Sequence, residues 1–355
     1  MSEQIGVGIL GATGTVGQRF IQLLETHPLF YVKAIGASSR SAGKEYHEAV
    51  NWKMTTLIPD SVAKMIVHPC EPEYFEGCKV IFSGLDSSVA GETELAFLEA
   101  EFAVFSNAKN HRMNPLVPLI VPIVNPEHFD LIKQQRVEFK KSKGFLVTNA
   151  NCSTTGLVSA LKPLQDAFGP LSKVVVTTMQ AISGAGYPGV PSLDILGNVV
   201  PYISGEEEKM EEEAAKILGT FSTNHIVDAP LAVSASCNRV AVIDGHTESV
   251  FVEFARKPAP SLEEITKVFE NYVSEAQKLN CYSAPNKCVV VCKQPDRPQP
   301  RLDALLEDGH GVLVGGIRKC NIFDFKFTLL VHNTILGAAG SAIMNAEIAV
   351  KKGLV

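Results

Sequence analysis

IGVGILGATGTVG, residues 5–17, is an apolar run that leads into glycines spaced three residues apart. Val16, Phe20 and Leu24 then recur with helical spacing. A strand, a tight glycine turn and a helix in this order let the backbone approach a diphosphate, whose charge the helix N-terminus stabilises. No Gly-Lys-Ser/Thr follows, so the turn is not a Walker-type loop. We expect a dinucleotide here rather than an empty turn, held by Gly11, Thr13, Gly14, Thr15 and Val16.

The first 150 residues alternate apolar strand patterns with helical ones, which is typical of right-handed crossovers and a parallel sheet. Helices are expected from Val16 to Leu24 and from Val89 to Glu101. The fold class is therefore α/β for this part of the chain. The expected strands are Ile5–Leu10, Tyr31–Ala37, Val80–Ser83, Phe102–Ser106 and Phe145–Asn149.

From Val174 onward, long strands replace the regular alternation, which indicates an α+β domain with a large mixed or antiparallel sheet. A helix rich in small residues, 333–350, is expected to return to the first domain. The predicted division is 1–151 with 332–355, and 152–331. The expected strands are Val174–Gln180, Val240–Ile243, Ser249–Ala255, Lys287–Lys293 and Phe323–Val331.

Composition excludes several classes of protein. The 355 residues suggest about two domains. The net charge of −6 argues against nucleic-acid or membrane-surface binding, and no apolar run reaches the length of about 18 residues that a membrane span needs. Residues 1–10 carry no basic leader, and the eight cysteines include no C-x-x-C, so we expect reduced thiols and a cytoplasmic location.

The end of the second predicted strand indicates which dinucleotide is bound. An NAD site usually places Asp or Glu there, on the ribose hydroxyls. This chain has Ser38, Ser39 and Arg40 instead. Two hydroxyls and a guanidinium suit a 2′-phosphate, so the sequence favours NADP.

Cys152 stands between a predicted strand and a predicted helix, in TNANCSTTG, residues 148–156. The first turn of a helix lowers a thiol pKa and favours thiolate. Cys152 also lies at the carboxyl end of a predicted strand, where open sheets place ligands. From position alone, a nucleophile and a buried inert thiol are about equally supported.

A nucleophilic cysteine needs a partner that handles protons. His246 follows a glycine at a predicted turn between two strands, which would present its ring, and Arg239 begins the preceding strand. Gln180 ends another strand in a glycine-rich loop and could bind a reacting carbonyl. No histidine pair forms a metal pattern such as H-E-x-x-H, and we expect no metal. Taken singly, each residue is more often structural or solvated.

GEEEKMEEE, residues 205–213, is predicted to begin an acidic helix with Met210 and Ala214 facing inward. Acidic residues in a first turn suit the helix dipole. Most of these carboxylates are therefore expected on a solvated face.

Together, these segments resemble the aspartate-semialdehyde dehydrogenase family, particularly its fungal and archaeal branch, over essentially the whole chain. That family combines a Rossmann-like domain, completed by the C-terminal helix, with a catalytic and dimerisation domain. The segments that carry the resemblance are Gly8–Gly17, Ser106–Arg112, Asn149–Cys152, Gln180–Gly186, Gly205–Lys209, Arg239–His246 and Asn333–Ser341.

The resemblance implies a role for each matching residue. Cys152 would be the nucleophile, His246 the acid/base and Gln180 the residue that positions the acyl intermediate. Arg239 would bind the substrate α-carboxylate and Glu206 its amino group, although Glu207 is an alternative. The implied phosphate ligands are Lys209, Arg112 and Asn151, and the further cofactor contacts are Ser83, Gly84, Ser183, Gly184, Gly186, Asn333 and Gly337.

The implied reaction is the reversible, NADP-dependent reductive dephosphorylation of L-aspartyl-4-phosphate to the semialdehyde through a cysteine thioester. It belongs to the biosynthesis of threonine and methionine, and of lysine in some organisms. The implied partners are the small-molecule substrate and inorganic phosphate, in a homodimer or homotetramer. Two alternatives stay open: an acyl reductase resembling malonyl-CoA reductase, which would need coenzyme A, and an NADP-binding regulator without turnover.

Overall fold

A computed structural model describes residues 4–355, so the first three residues of the segment expected to lack a leader lie outside it. The first sheet has six parallel strands in the order β3-β2-β1-β4-β5-β6. This confirms the predicted α/β class. The strands are β1 Ile5–Leu10, β2 Phe30–Gly36, β3 Val67–His68, β4 Val80–Ser83, β5 Ala103–Ser106 and β6 Phe145–Thr148.

Successive residues of these strands face opposite apolar layers, because side chains alternate along a strand. Ile81 and Val104 pack with Phe97, whereas Phe82 packs with Phe20, whose ring lies 4.9 Å from its own. Both faces of the sheet are therefore covered. The helices up to the second sheet are α1 Thr15–Leu24, α2 Tyr46–Ala49, α3 Asp60–Ala63, α4 Ser87–Glu99, α5 Leu131–Glu138 and α6 Cys152–Phe168.

The second sheet has seven strands in the order β13-β14-β15-β12-β7-β11-β8. It is mixed, since β7 pairs parallel with β11 and antiparallel with β12. β9 and β10 form a separate hairpin. The strands are β7 Leu171–Gln180, β8 Val199–Pro201, β9 Thr220–Ser222, β10 His225–Val227, β11 Ala232–Val240, β12 His246–Phe254, β13 Val289–Cys292, β14 Val312–Lys319 and β15 Phe325–Val331.

Helix α6 packs on the inner face of this second sheet, and the C-terminal helix packs against β4, β5 and α1 of the first. A π-helical turn, Ile335–Ala339, precedes that last helix. Within residues 4–355, no helix is long and apolar enough to cross a membrane. The remaining helices are α7 Ser192–Ile195, α8 Glu206–Ile217, α9 Leu262–Asn271, α10 Glu275–Lys278, α11 Pro300–Asp303 and α12 Gly340–Lys351.

One predicted strand was wrong. Residues 241–245 form a turn, and the strand is β11, which ends at Val240. Arg239 therefore lies near the end of this strand rather than at its start. The outer face of β11 carries small residues such as Ser234 and Ser236, so the strand lacks the apolar alternation that usually reveals one.

Candidate active site

A cavity of about 820 Å³ lies where the carboxyl edge of the first sheet meets the start of α6. Such edges are where open α/β sheets bind ligands. The cavity brings together most of the residues singled out in the sequence. Those that line it are Gly11, Thr13, Gly14, Thr15, Val16, Ser38, Arg40, Gly84, Arg112, Asn151, Cys152, Ser183, Gly184, Gly186, Glu206, Lys209, Asn333 and Gly337.

The glycine turn between β1 and α1 forms one end of the cavity. Gly14 is the N-cap of α1 and supplies no side-chain cap, so the first N–H groups of the helix stay available to an anion. Gly11 has a φ of +75°, in the left-handed region. A Cβ on Gly17 would lie 2.3 Å from the carbonyl oxygen of Gly11, so only glycine permits this packing.

Two predicted cofactor contacts lie outside the cavity. Ser38 and Arg40 line it at the end of β2, but Ser39 does not. Ser83 is fully buried, and its hydroxyl donates to the carboxylate of Glu94 at 2.7 Å. The Ser106 hydroxyl donates to the same oxygen, so Glu94 ties β4 to β5 below the cavity.

Cys152 is the first residue of α6, and Asn151 is its N-cap. The Asn151 side-chain oxygen accepts the N–H groups of Ser153 and Thr154, at 3.0 and 3.2 Å. A Cβ on Gly337 would lie 2.9 Å from the Cβ of Cys152, so this glycine lets the π-helical turn pack against the thiol. The thiol is thereby held in one place, half-buried in the cavity.

The helix start lowers the pKa of Cys152 as expected, through the Ser153 N–H, but the net shift of this pKa is upward. Burial raises the pKa of Cys152 to about 12, and the Glu206 carboxylate acts in the same direction. The charges of Arg239 and Arg112 and the Ser153 N–H oppose this shift without overcoming it. The Ser153 N–H, which also donates to Asn151, is the last of these lowering effects, so burial outweighs the helix start.

His246 lies against the sulfur, with Nε2 at 3.1 Å from Sγ. It follows Gly245 at the turn between β11 and β12, as expected, but its side chain is fully buried, so the expectation that the turn would present the ring was wrong. Its Nδ1 accepts the backbone N–H of Ala181 at 3.0 Å, which places the ring proton on Nε2. Burial lowers the pKa of His246 well below its usual value, as do the charges of Arg239 and His332. The neutral ring therefore donates to the sulfur and cannot accept a proton from it.

Three of the predicted residues form one row across the second sheet. Gln180 pairs with Arg239, and the pairing of Thr247 with Met179 puts His246 beside Gln180. None of the three lines the cavity, but each lies against a residue that does. A Cβ on Gly184 would lie 3.0 Å from Arg239 and 3.1 Å from His246, and Gln180 reaches Glu206 at 3.4 Å. The sheet register therefore places an imidazole, an amide and a guanidinium side by side under Cys152.

Of the two adjacent glutamates, Glu206 faces the cavity and Glu207 does not. Glu206 accepts from Lys209 at 2.5 Å and from the Asn151 side chain at 2.8 Å, whereas Glu207 accepts the N–H of Cys237. Burial alone would raise the pKa of Glu206, but these partners hold it below its usual value. A carboxylate and an ammonium thus share one wall of the site.

Sequence reasoning missed two buried residues on α8. Glu213 and Lys216 are only 2% and 5% exposed, although most carboxylates of residues 205–213 are half-buried or exposed, as expected. Glu206, which the resemblance assigns to the substrate, is 9% exposed. The available signal was spacing, because residues seven apart lie on one helix face. Ala181 was also missed, since it acts through its backbone N–H and no side-chain pattern could reveal it.

Comparison with protein families agrees with this geometry. The family model described as "Semialdehyde dehydrogenase, NAD binding domain" matches residues 6–132. The family model described as "Semialdehyde dehydrogenase, dimerisation domain" matches residues 161–336. The first match spans five of the six strands of the first sheet, with β6 outside it, and the second match spans all seven strands of the second sheet.

Individual relatives match almost the full chain. The aspartate-semialdehyde dehydrogenase of Cryptococcus neoformans is 57% identical over 99% of this chain and 98% of its own length. That of Archaeoglobus fulgidus is 48% identical over 98% of this chain and 99% of its own length. A crystal structure of the Candida albicans enzyme with NADP superposes with a TM-score of 0.93 at 50% identity, covering 99% of this chain and 100% of that one. The chain belongs to the aspartate-semialdehyde dehydrogenase family.

Proposed function

We propose that this protein is an NADP-dependent aspartate-semialdehyde dehydrogenase, which converts L-aspartyl-4-phosphate and NADPH reversibly to L-aspartate 4-semialdehyde, phosphate and NADP⁺. The observation that carries the proposal is the 3.1 Å contact of Cys152 Sγ with His246 Nε2 inside the cavity that holds the glycine turn. In this role the protein serves the biosynthesis of threonine and methionine. The family resemblance and the named relatives support the same reaction.

The residues at the glycine turn fit NADP. The uncapped start of α1 suits the diphosphate, and Ser38 and Arg40 suit a 2′-phosphate because they line the same cavity. Asn333 and Gly337 line the same cavity, Gly337 lies against Cys152, and Asn333 is held by the Gly245 N–H and the Ser183 hydroxyl, both at 2.8 Å. We assign the nicotinamide to that end of the cavity. When bound, NADPH supplies the hydride that reduces the thioester.

Cys152 is the nucleophile. Its sulfur forms a bond with the acyl carbon, the bond from that carbon to the phosphate oxygen breaks, and the thiol proton leaves with the phosphate, so that the thioester and hydrogen phosphate result. Because Nε2 of His246 already carries a proton, the ring donates to the thiolate rather than deprotonating the thiol. The charges of Arg239 and Arg112, which lower the pKa of Cys152, favour the reactive form.

His246 then serves the oxygen that becomes negative during reduction. Its Nε2 proton is shared with that oxyanion and recovered when the aldehyde leaves and the thiolate re-forms. A Cβ on Gly184 would lie 3.1 Å from the ring of His246, so the glycine leaves room for substrate beside the ring. The amide of Gln180 holds the acyl group in the row next to His246.

Charged groups on two walls suit a substrate with two anionic ends. Arg239 binds the α-carboxylate, Glu206 the amino group, and Arg112 and Lys209 the phosphate. Asn151 lines the phosphate subsite as well, although its side chain is engaged by Glu206 and by the start of α6. A few cations focused in one cavity explain how a chain of net charge −6 could bind such a substrate.

We further propose a homodimer or homotetramer that forms through the second sheet, and a division of the chain into 1–151 with 332–355, and 152–331. Residues on the outer side of β7, β11 and β12, such as Val175, Ser236 and Phe251, are half-buried or exposed, whereas their neighbours inside are buried. Sedimentation velocity tests the oligomer. All eight cysteines are free in the structure, and a reducing compartment such as the cytoplasm suits them.

The decisive experiment follows NADP⁺ reduction with aspartate semialdehyde, with and without inorganic phosphate. Phosphate-dependent formation of NADPH is the expected result. Activity that requires coenzyme A instead would indicate the acyl-reductase alternative, and no turnover with any acceptor would indicate a regulator. The same assay with NAD⁺ measures the preference for the 2′-phosphate.

A further inference from the structure

Helix α8 carries four charged residues on one buried face. Glu206, Lys209, Glu213 and Lys216 are spaced by three, four and three residues, which puts them in line along the helix. Their charges alternate in sign. We call these four residues the polar stripe. Its front pair, Glu206 and Lys209, lines the cavity, whereas its rear pair, Glu213 and Lys216, does not.

Glu213 joins the nucleophile's helix to the phosphate subsite. One of its oxygens accepts the backbone N–H of Asn151 at 2.6 Å, and the other accepts from the Arg112 guanidinium at 2.8 Å. Arg112 also donates to the Asn107 carbonyl at 2.8 Å, and its Nε has no partner among residues 4–355. Two predicted phosphate ligands therefore take their positions from a single carboxylate.

Lys216 holds the loop that carries Arg112. Its Nζ donates to the carbonyl oxygens of Arg112, Asn114 and Val117 at 2.6, 2.8 and 3.0 Å. Burial lowers the pKa of Lys216 to about 8, against the opposing charges of Asp228 and Glu213. Burying a carboxylate and an ammonium costs free energy that apolar packing would not, so stability alone does not explain the rear pair.

We propose that Glu213 and Lys216 are positioning residues for the phosphate subsite, acting through Arg112 and Asn151. The inference rests on the proposed function and extends it from the residues that touch substrate to those that place them. If Glu213 becomes neutral, the side chain of Arg112 loses its anionic partner and its orientation relative to phosphate. Binding of phosphate should weaken, while binding of the dinucleotide at the glycine turn should not change.

The test compares Glu213→Gln, Lys216→Met and the control Glu212→Gln, which makes the same charge change at an exposed position of the same helix. In phosphate-dependent NADP⁺ reduction, we expect the KM for phosphate to rise about tenfold or more in the first two variants. The KM for NADP⁺ should stay within about twofold, and Glu212→Gln should match the wild type. A purely structural role would lower the amount of active protein and leave both KM values unchanged.

A second measurement does not need turnover. Iodoacetate carries a carboxylate and iodoacetamide does not, so the ratio of their rates with Cys152 reports the placement of nearby cations. We expect this ratio to fall about fivefold or more in Glu213→Gln and Lys216→Met. A wild-type protein without phosphate-dependent turnover would contradict the proposed function. An active wild type, with an unchanged KM for phosphate or an unchanged ratio in whichever variant folds, would overturn the positioning role alone.

Discussion

Two strand-to-helix turns of the same sheet meet in the cavity, and they use their helix starts in opposite ways. At β1–α1 the N-cap is Gly14, which leaves the first N–H groups of the helix available. At β6–α6 the N-cap is Asn151, whose side chain takes the N–H groups of Ser153 and Thr154. The first turn is therefore built to bind an external anion, whereas the second is built to hold a side chain in place.

This difference explains why the positive potential of the helix start suits an anion at β1–α1 but does not set the thiol pKa at β6–α6. Positive potential at a helix start acts on whatever anion reaches its free N–H groups. At α6, the Asn151 side chain accepts two of these groups, and burial outweighs the lowering effect of the Ser153 N–H on the pKa of Cys152. The thiolate must therefore be favoured by the cations and by the Nε2 proton of His246, and not mainly by the helix.

The largest effect is expected from Cys152→Ser, which tests whether the second turn holds the nucleophile. A hydroxyl is a far weaker nucleophile than a thiol in this setting, so kcat should fall by at least about 10³-fold. Binding of NADPH at the first turn should be retained, as measured by fluorescence titration. Turnover near the wild-type level would show that Cys152, at the second turn, is not the nucleophile.

The pH dependence of alkylation tests the capped helix start directly. Because burial raises the pKa of Cys152 to about 12, the thiolate fraction should rise with every unit of pH. The rate of reaction with iodoacetamide should increase about tenfold per unit between about pH 7 and about pH 9, with no plateau.

This measurement needs a Cys320→Ser background, since the backbone N–H groups of Ile322 and Phe323 lower the pKa of the Cys320 thiol. Cys152→Ser serves as the blank. A rate that levels off below about pH 8 would show that the helix start, and not burial, governs the sulfur.

Arg40→Met tests dinucleotide binding beside the first turn, β1–α1. Hydrogen bonds to charged groups contribute about 1.5–3 kcal/mol, so loss of the guanidinium should raise the KM for NADPH about tenfold or more. The KM for NADH should change little, because NADH has no 2′-phosphate. Ser39→Ala, outside the cavity, is the matched control. Equal effects on both dinucleotides would argue against a 2′-phosphate at Arg40.

The smallest effect is expected from Asn151→Ala, which removes the cap that distinguishes the two turns. Loss of an N-cap side chain costs about 1 kcal/mol, so the free energy of unfolding in urea should fall by that amount. Ser261→Ala removes a comparable cap from α9, far from the cavity, and should match the loss of stability without changing kcat. An Asn151→Ala protein as stable as the wild type would show that this cap contributes little.

The positions of many strands and helices could be predicted from short segments of the sequence. β1, β4 and the start of α6 lie where apolar runs and glycines predict them, because those signals are local. β11 could not be found, since small polar residues on its outer face hide the alternation. The burial of His246 and of Glu213 also escaped prediction, because it depends on which elements pack above them.

The sequence by itself determined the order of the elements, the glycine turn that accepts an anion, and the residue types that meet in the cavity. These depend on backbone freedom and side-chain chemistry, which are properties of each segment. Only the tertiary structure decided the protonation chemistry: the Ala181 N–H places the ring proton of His246, and burial sets the pKa of Cys152. Solvent exclusion and hydrogen-bond partners arise from distant segments brought together, and no local pattern contains them.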